Sequence, residues 1–227
     1  GSSDGGDSKK KGGGGSNGPW RTIAILFGLG AARLIAVKAS GYPEHISEYG
    51  IHWNFFFTLG SVSLVVALLG ARSAWTSLIL AAGILGLRSY AGVALGVDSW
   101  VLDRAPRRPL PADVWGFVPL CVRRFVEDNR EGLLSVPGFV AIELVGRALG
   151  VWLFKPFQSV GDGRDYAKLS AHHCVAAGLG SAGLWAVSVA FSAAGVLPSR
   201  VLVNVPYVLF SGAVALASAA VFFGGWA

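Results

Sequence analysis

Of 227 residues, 53% are hydrophobic and only 14% are charged, against about 25% charged in soluble globular domains. Mean hydropathy is +0.55, which points away from an ordinary soluble domain and towards an all-α, polytopic transmembrane helix bundle. The net charge of +6 is read as Lys and Arg in connections and at helix ends, beside lipid headgroups. No basic stripe interleaved with aromatics marks a nucleic-acid surface, so membrane lipids and not nucleic acid are the expected surroundings.

Residues 1–19 are Gly, Ser, Asp and Lys with almost no apolar side chains, so a disordered tail is predicted there, followed by one transmembrane helical domain over 20–227. About six spans follow in order. Trp20 to Ala39 is the first, carrying Arg33, which should face the bundle interior if the helix crosses, and Lys38 near the interface. Ala39 to His52 is a polar connection, and Trp53 to Gly70 is the second span, opening on Trp53, Phe55, Phe56 and Phe57 as an interfacial end does. Ala74 to Val97 is the third. Asp98 to Gly132 is a long charged connection whose prolines 106, 109, 111 and 119 argue against one helix. Within it, Val114 to Val122 reads as an interfacial or re-entrant piece. Leu133 to Phe154 is the fourth span, with Glu143 and Arg147 four apart on one face. Lys155 to Leu169 is a polar loop, Ser170 to Val196 the fifth span, and Val201 to Phe223 the sixth, with Pro206 in its first turns. Six spans put both ends on one side, and the Lys and Arg residues divide too evenly between the sides to choose an orientation.

The densest protonatable chemistry lies at 44–59, at the mouth of the second span. His45, Glu48 and His52 fall at i, i+3 and i+7, one face if the stretch is helical. Two imidazoles and a carboxylate suit zinc, but the spacing is not the usual helical pair and Gly50 weakens a helix, so no metal is assigned. A His beside a carboxylate can also take a proton from an attacking hydroxyl, or the group can be a polar interfacial cap. Asn54 is a candidate hydrogen-bond donor to a developing oxyanion. Arg130 is a candidate for a phosphate, or an interfacial charge at a helix start. Asn204 can bond a neighbouring helix, and Tyr207 can be a belt residue. Arg33, Arg88, Glu143 and Arg147 are intramembrane charges, hence functional or internally paired. His172 and His173 read as interfacial. Cys121 and Cys174 form no CxxC pair and give no metal framework.

Three segments carry a resemblance. The stretch His45-x-Ser47-Glu48-Tyr49-Gly50-x-His52-Trp53-Asn54-Phe55-Phe56-Phe57-Thr58-Leu59 closely resembles the GPI-anchor inositol acyltransferase family. Asn129-Arg130-Glu131-Gly132-Leu133-x-Ser135-x-x-Gly138-Phe139-x-Ala141 is similar to a second segment of that family, and Ser199-Arg200-x-Leu202-x-Asn204-x-Pro206-Tyr207-Val208-Leu209 to a third. The resemblance implies a multi-pass endoplasmic reticulum enzyme of GPI-anchor biosynthesis. Such an enzyme moves a fatty acyl chain from acyl-CoA, a co-substrate and not a bound cofactor, to the inositol of glucosaminyl-phosphatidylinositol. On that reading the catalytic candidates are His45, Glu48, His52 and Asn54, and the substrate-binding candidates are Asn129, Arg130, Glu131, Ser135, Asn204 and Tyr207. The alternative is a non-catalytic membrane subunit or transporter-like bundle. Two departures stand out. Arg200 is followed by Val201 where a second Arg is usual, and the family's F-P-R-R-F-x-K-T-E-like segment, thought central to acyl transfer, is not found. With the absence of Met, this leads to the expectation of a carboxy-terminal half of a larger protein.

Overall fold

A computed structural model describes residues 18–41, 49–103, 109, 116–160 and 163–226. The expected tail over 1–19 therefore lies outside the described residues except for its last two, which begin a helix. The described elements are helical: α1 Gly18–Ala39, α2 Phe55–Leu69, α3 Ala74–Ala94, α4 Val97–Leu102, α5 Leu120–Asp128, α6 Arg130–Phe154, a 3-10 turn Lys155–Ser159, α7 Gly163–Ala193 and α8 Val205–Gly224. Five of these helices are long and apolar enough to cross a membrane, and α2 is a shorter apolar helix of 15 residues. The chain is a polytopic transmembrane helix bundle, as its composition required.

The boundaries moved for identifiable reasons. α2 begins at Phe55 and not Trp53, because Asn54 takes the cap: its Oδ1 accepts from the Phe56 and Phe57 amides at 3.0 and 3.3 Å, satisfying donors a helix start leaves open. α8 begins at Val205 and not Val201 for the same reason, with Asn204 accepting from Tyr207 N at 3.3 Å and Pro206 in the first turn, where its missing N–H costs nothing. α6 starts three residues before Leu133, taking Arg130, Glu131 and Gly132 into its first turn. α7 starts at Gly163, so part of the expected polar loop is helix. Of the predicted 114–122 piece, residues 120–122 open α5, 116–119 are not helical, and 114–115 lie outside the described residues.

α6 is the central helix. With α2 and α3 it buries Val62, Val66, Ala81, Val140, Ala141 and Leu144; with α7 and α8 it buries Leu153, Ala177, Leu216 and Phe223. Small residues set the close approaches, as in other membrane bundles. Phe57 lies across Gly30, and Phe27 across Gly60, where α1 meets α2. Ser181 Oγ donates to the Ala213 carbonyl at 2.8 Å between α7 and α8.

The intramembrane charges divide. Arg88 is buried and pairs with Asp98 at 2.6 Å. Glu143 and Arg147 pair along one face at 3.0 Å but are about half exposed. Arg33 is exposed, contrary to the expectation that it faces inward; among the described residues α1 packs mainly against α2, and most of its residues are exposed. His173, read as interfacial, is buried, with Phe157, Phe223 and Trp152 around its ring.

One contact fixes how α6 meets the turn before α8. Val203 is fully buried with φ +45°, a conformation that costs a β-branched residue on the order of 1–3 kcal/mol. Gly138 makes it possible, since a Cβ there would lie 2.3 Å from the Val203 carbonyl oxygen and 2.5 Å from its Cβ. Gly138→Ala is expected to destabilise the protein by about 1–3 kcal/mol, read as a fall of several degrees in thermal midpoint in detergent. An unchanged midpoint would mean that Val203 is not seated against α6.

Candidate functional site

The three segments singled out in the sequence meet at one end of the bundle, where α2, α6 and α8 all begin. The first and second are fastened backbone to backbone: Ile51 N–H donates to the Asp128 carbonyl at 2.9 Å, and Gly132 N–H to the Tyr49 carbonyl at 3.0 Å. Two glycines permit this. Gly50 has φ +105°, and a Cβ there would lie 2.6 Å from Asn129 Cα. A Cβ on Gly132 would lie 2.2 Å from Trp53 Cδ1.

Asn129 is the centre of the junction. It is fully buried at the break between α5 and α6, with φ −121° and ψ 20°. Its Oδ1 accepts from His52 N at 2.8 Å and Trp53 N at 2.7 Å, while its Nδ2 donates to the Phe125 carbonyl at 2.8 Å. One side chain thus ends α5 and grips the chain entering α2. Trp53 Nε1 donates to Thr58 Oγ1 at 2.9 Å, and the indole lies near Phe57 and Phe125.

Arg130 is fully buried. Its guanidinium carbon sits 4.9 Å from the centre of the Trp100 ring, Nη2 donates to the Asp103 carbonyl, and Nε is 3.8 Å from Glu131 Oε1. The cation therefore ties α6 to α4 from beneath the junction. Glu131 is buried beside it, and Ser135, also buried, donates to the Gly132 carbonyl at 2.8 Å. Asn54 is buried as well; besides capping α2 it donates from Nδ2 to the Gly30 carbonyl at 3.0 Å, so it locks α1 to α2.

The third segment closes against the other two. Asn204 does not reach a neighbouring helix. It accepts from Ser199 N at 3.0 Å and donates to the Leu197 carbonyl at 2.9 Å, shaping the turn into α8. Tyr207 is half-buried one turn later. Arg88 donates from Nη2 to the Leu202 carbonyl at 3.1 Å. Arg200, exposed, donates to the Tyr49 hydroxyl at 3.4 Å, a direct link between residues 151 apart.

His52, Asn54, Asn129, Arg130, Glu131 and Ser135 are therefore brought to one junction, with Asn204 and Tyr207 on the adjoining segment. His45 and Glu48 lie outside the described residues, and so does the shared helical face on which they were weighed with His52. Among the described residues no group of three His, Cys, Asp or Glu side chains is placed to hold a metal. The junction also uses Tyr49, Trp53, Trp100, Asp103, Asp98 and Arg200, which were not picked out as site residues. Most of their partners lie far off in sequence, 27 residues for Asp103 with Arg130, 76 for Trp53 with Asn129 and 151 for Tyr49 with Arg200.

The comparisons fall on the same stretch. A protein-family model described as GWT1 matches residues 16–224. The GPI-anchored wall transfer protein 1 of Aspergillus oryzae is 34% identical over 83% of this chain and 36% of its own length. The phosphatidylinositol-glycan biosynthesis class W protein of Dictyostelium discoideum is 36% identical over 63% of this chain and 26% of its own. The glucosaminyl-phosphatidylinositol-acyltransferase PIGW of Bos taurus is 34% identical over 59% of this chain and 25% of its own. The match thus spans only about a quarter to a third of these relatives. All three segments of the junction lie inside the matched region, and this chain belongs to the GWT1 family.

Proposed function

We propose that this chain forms part of a membrane-bound inositol acyltransferase of GPI-anchor assembly, resident in the endoplasmic reticulum membrane. The observation that carries the reading is the convergence of the three segments: residues 49–54, 128–132 and 199–204 are joined by direct hydrogen bonds at one end of the bundle. The bovine relative is named for transfer to glucosaminyl-phosphatidylinositol, and that lipid, with acyl-CoA as donor, is the proposed substrate pair.

In the proposed step an inositol hydroxyl oxygen attacks the thioester carbonyl. The C–O ester bond forms, the C–S bond breaks, and the hydroxyl proton passes to a base while CoA leaves as thiolate and is then protonated. His52, at the mouth of α2, is the base, with His45 as the other candidate in the same sequence segment and Glu48 as the candidate carboxylate for orienting an imidazole. Asn54 is better suited to positioning than to an oxyanion, because its amide already caps α2 and bonds Gly30. Arg130 supports the site from below, and the exposed Arg200 beside Tyr49 is the better placed cation for a lipid phosphate.

The test is rescue of cells that lack inositol acylation by the whole gene that contains this stretch. His52→Ala is expected to lower acylated glucosaminyl-phosphatidylinositol by about 100-fold or more at equal protein level, the usual scale for loss of a general base. Normal acylation in that variant would remove His52 from proton transfer. Absence of rescue by the unmutated gene would overturn the enzyme reading itself.

A further inference from the structure

The far end of the bundle carries a second set of chemical groups. α6 runs from the junction to Phe154, about 36 Å along its axis. There the α2–α3 turn and the end of α6 enclose a cup of about 540 Å³ whose polar lining is Arg72, Ser73, Ser77, Arg147, Lys155 and Gln158. Beside it a groove of about 750 Å³ lies between the first turns of α3 and the last turns of α6, walled by Trp75, Leu78, Leu149, Trp152 and Pro156. Cup and groove share Ala74, Val151 and Lys155, so a single ligand can occupy both.

Charge decides what fits the cup. Arg147 is offset by Glu143 at 3.0 Å. Arg72 and Lys155 have no carboxylate partner among the described residues. Two uncompensated cations at a helix end, next to exposed indoles (Trp75 76% and Trp152 44% exposed), sit where lipid headgroups meet hydrocarbon. The larger, apolar groove starts from that cationic cup. A soluble anion would leave the groove wet, whereas a lipid fills both parts.

We propose that this cup and groove bind an anionic glycerophospholipid, with its phosphate between Arg72 and Lys155 and an acyl chain along Trp75, Leu78 and Trp152. The inference does not depend on the acyltransferase reading.

Native mass spectrometry of the purified full chain, in detergent with equal phosphatidylglycerol and phosphatidylcholine, reads it directly. One phosphatidylglycerol is expected to be retained roughly tenfold over phosphatidylcholine, and Arg72→Gln with Lys155→Gln to abolish the preference. Each single variant should lower it about threefold, which covers the case of a double variant that does not fold. Equal retention of the two lipids, or an unchanged preference in the variants, overturns the proposal. Displacement of the lipid by millimolar inorganic phosphate also overturns it, in favour of a soluble anion site.

Discussion

Asn129→Leu is expected to cost about 2–3 kcal/mol of stability, at roughly 1 kcal/mol for each of three lost hydrogen bonds, and to abolish any activity of the junction. The substitution keeps the side chain near its original volume, so the loss reads polar contacts and not a cavity. The His52 and Trp53 amides lose the Asn129 oxygen together, and the Phe125 carbonyl loses one of its two donors, keeping the Asn129 backbone amide at 3.2 Å. Because Asn129 is fully buried, water does not replace the amide easily. The stretch entering α2 should then detach from the start of α6, carrying His52 with it. Unfolding of the detergent-solubilised protein by added SDS measures the first effect, and inositol acylation in complemented cells the second. A variant with unchanged unfolding would show that the two backbone bonds between residues 49–51 and 128–132 hold the junction by themselves.

The second large effect belongs to Arg88. Removing one partner of a buried ion pair usually costs 3–5 kcal/mol. Here the Asp98 side chain is 26% exposed, so water recovers part of that, and Arg88→Leu is expected to cost about 2–3 kcal/mol. The Leu202 carbonyl loses its donor as well, which loosens the turn holding Arg200. The pair is tightly housed: a Cβ on Gly92 would lie 2.5 Å from Asp98 Oδ2 and 2.6 Å from Arg88 Nη1. Replacing both partners, Arg88→Leu with Asp98→Leu, should restore more than half of the lost stability, since no orphan charge remains. If the double variant is no more stable than Arg88→Leu alone, the carboxylate is not what Arg88 neutralises.

The spans were legible because hydropathy and length are local properties of the chain. So was the Glu143–Arg147 pair, since four-residue spacing on a helix dictates contact. The errors at the helix starts came from reading apolar onset as helix onset. Asn54 and Asn204 are polar residues that begin helices by capping them, and Arg130 and Glu131 are polar residues inside a first turn. Arg33 was misplaced because the sequence does not say how many neighbours a helix has. The segments that make the site were visible as motifs, yet their assembly was not. Nothing in the chain announces that Asn129 reaches back to His52, that Arg130 lies beneath Trp100, or that Arg200 meets Tyr49, because each contact depends on which helices pack side by side.

The brevity of α2 has a consequence for the membrane around it. Fifteen residues rise about 22 Å, against a hydrocarbon thickness of about 30 Å. The mismatch is relieved by local thinning of the bilayer or by sinking the polar end of the helix below the headgroups. In both cases the distance between bulk water and the middle of the membrane shortens beside His52 and Asn54. Under the function proposed above, a lipid headgroup still tethered by its tails has a shorter path to His52 than it would have at the end of a full-length span.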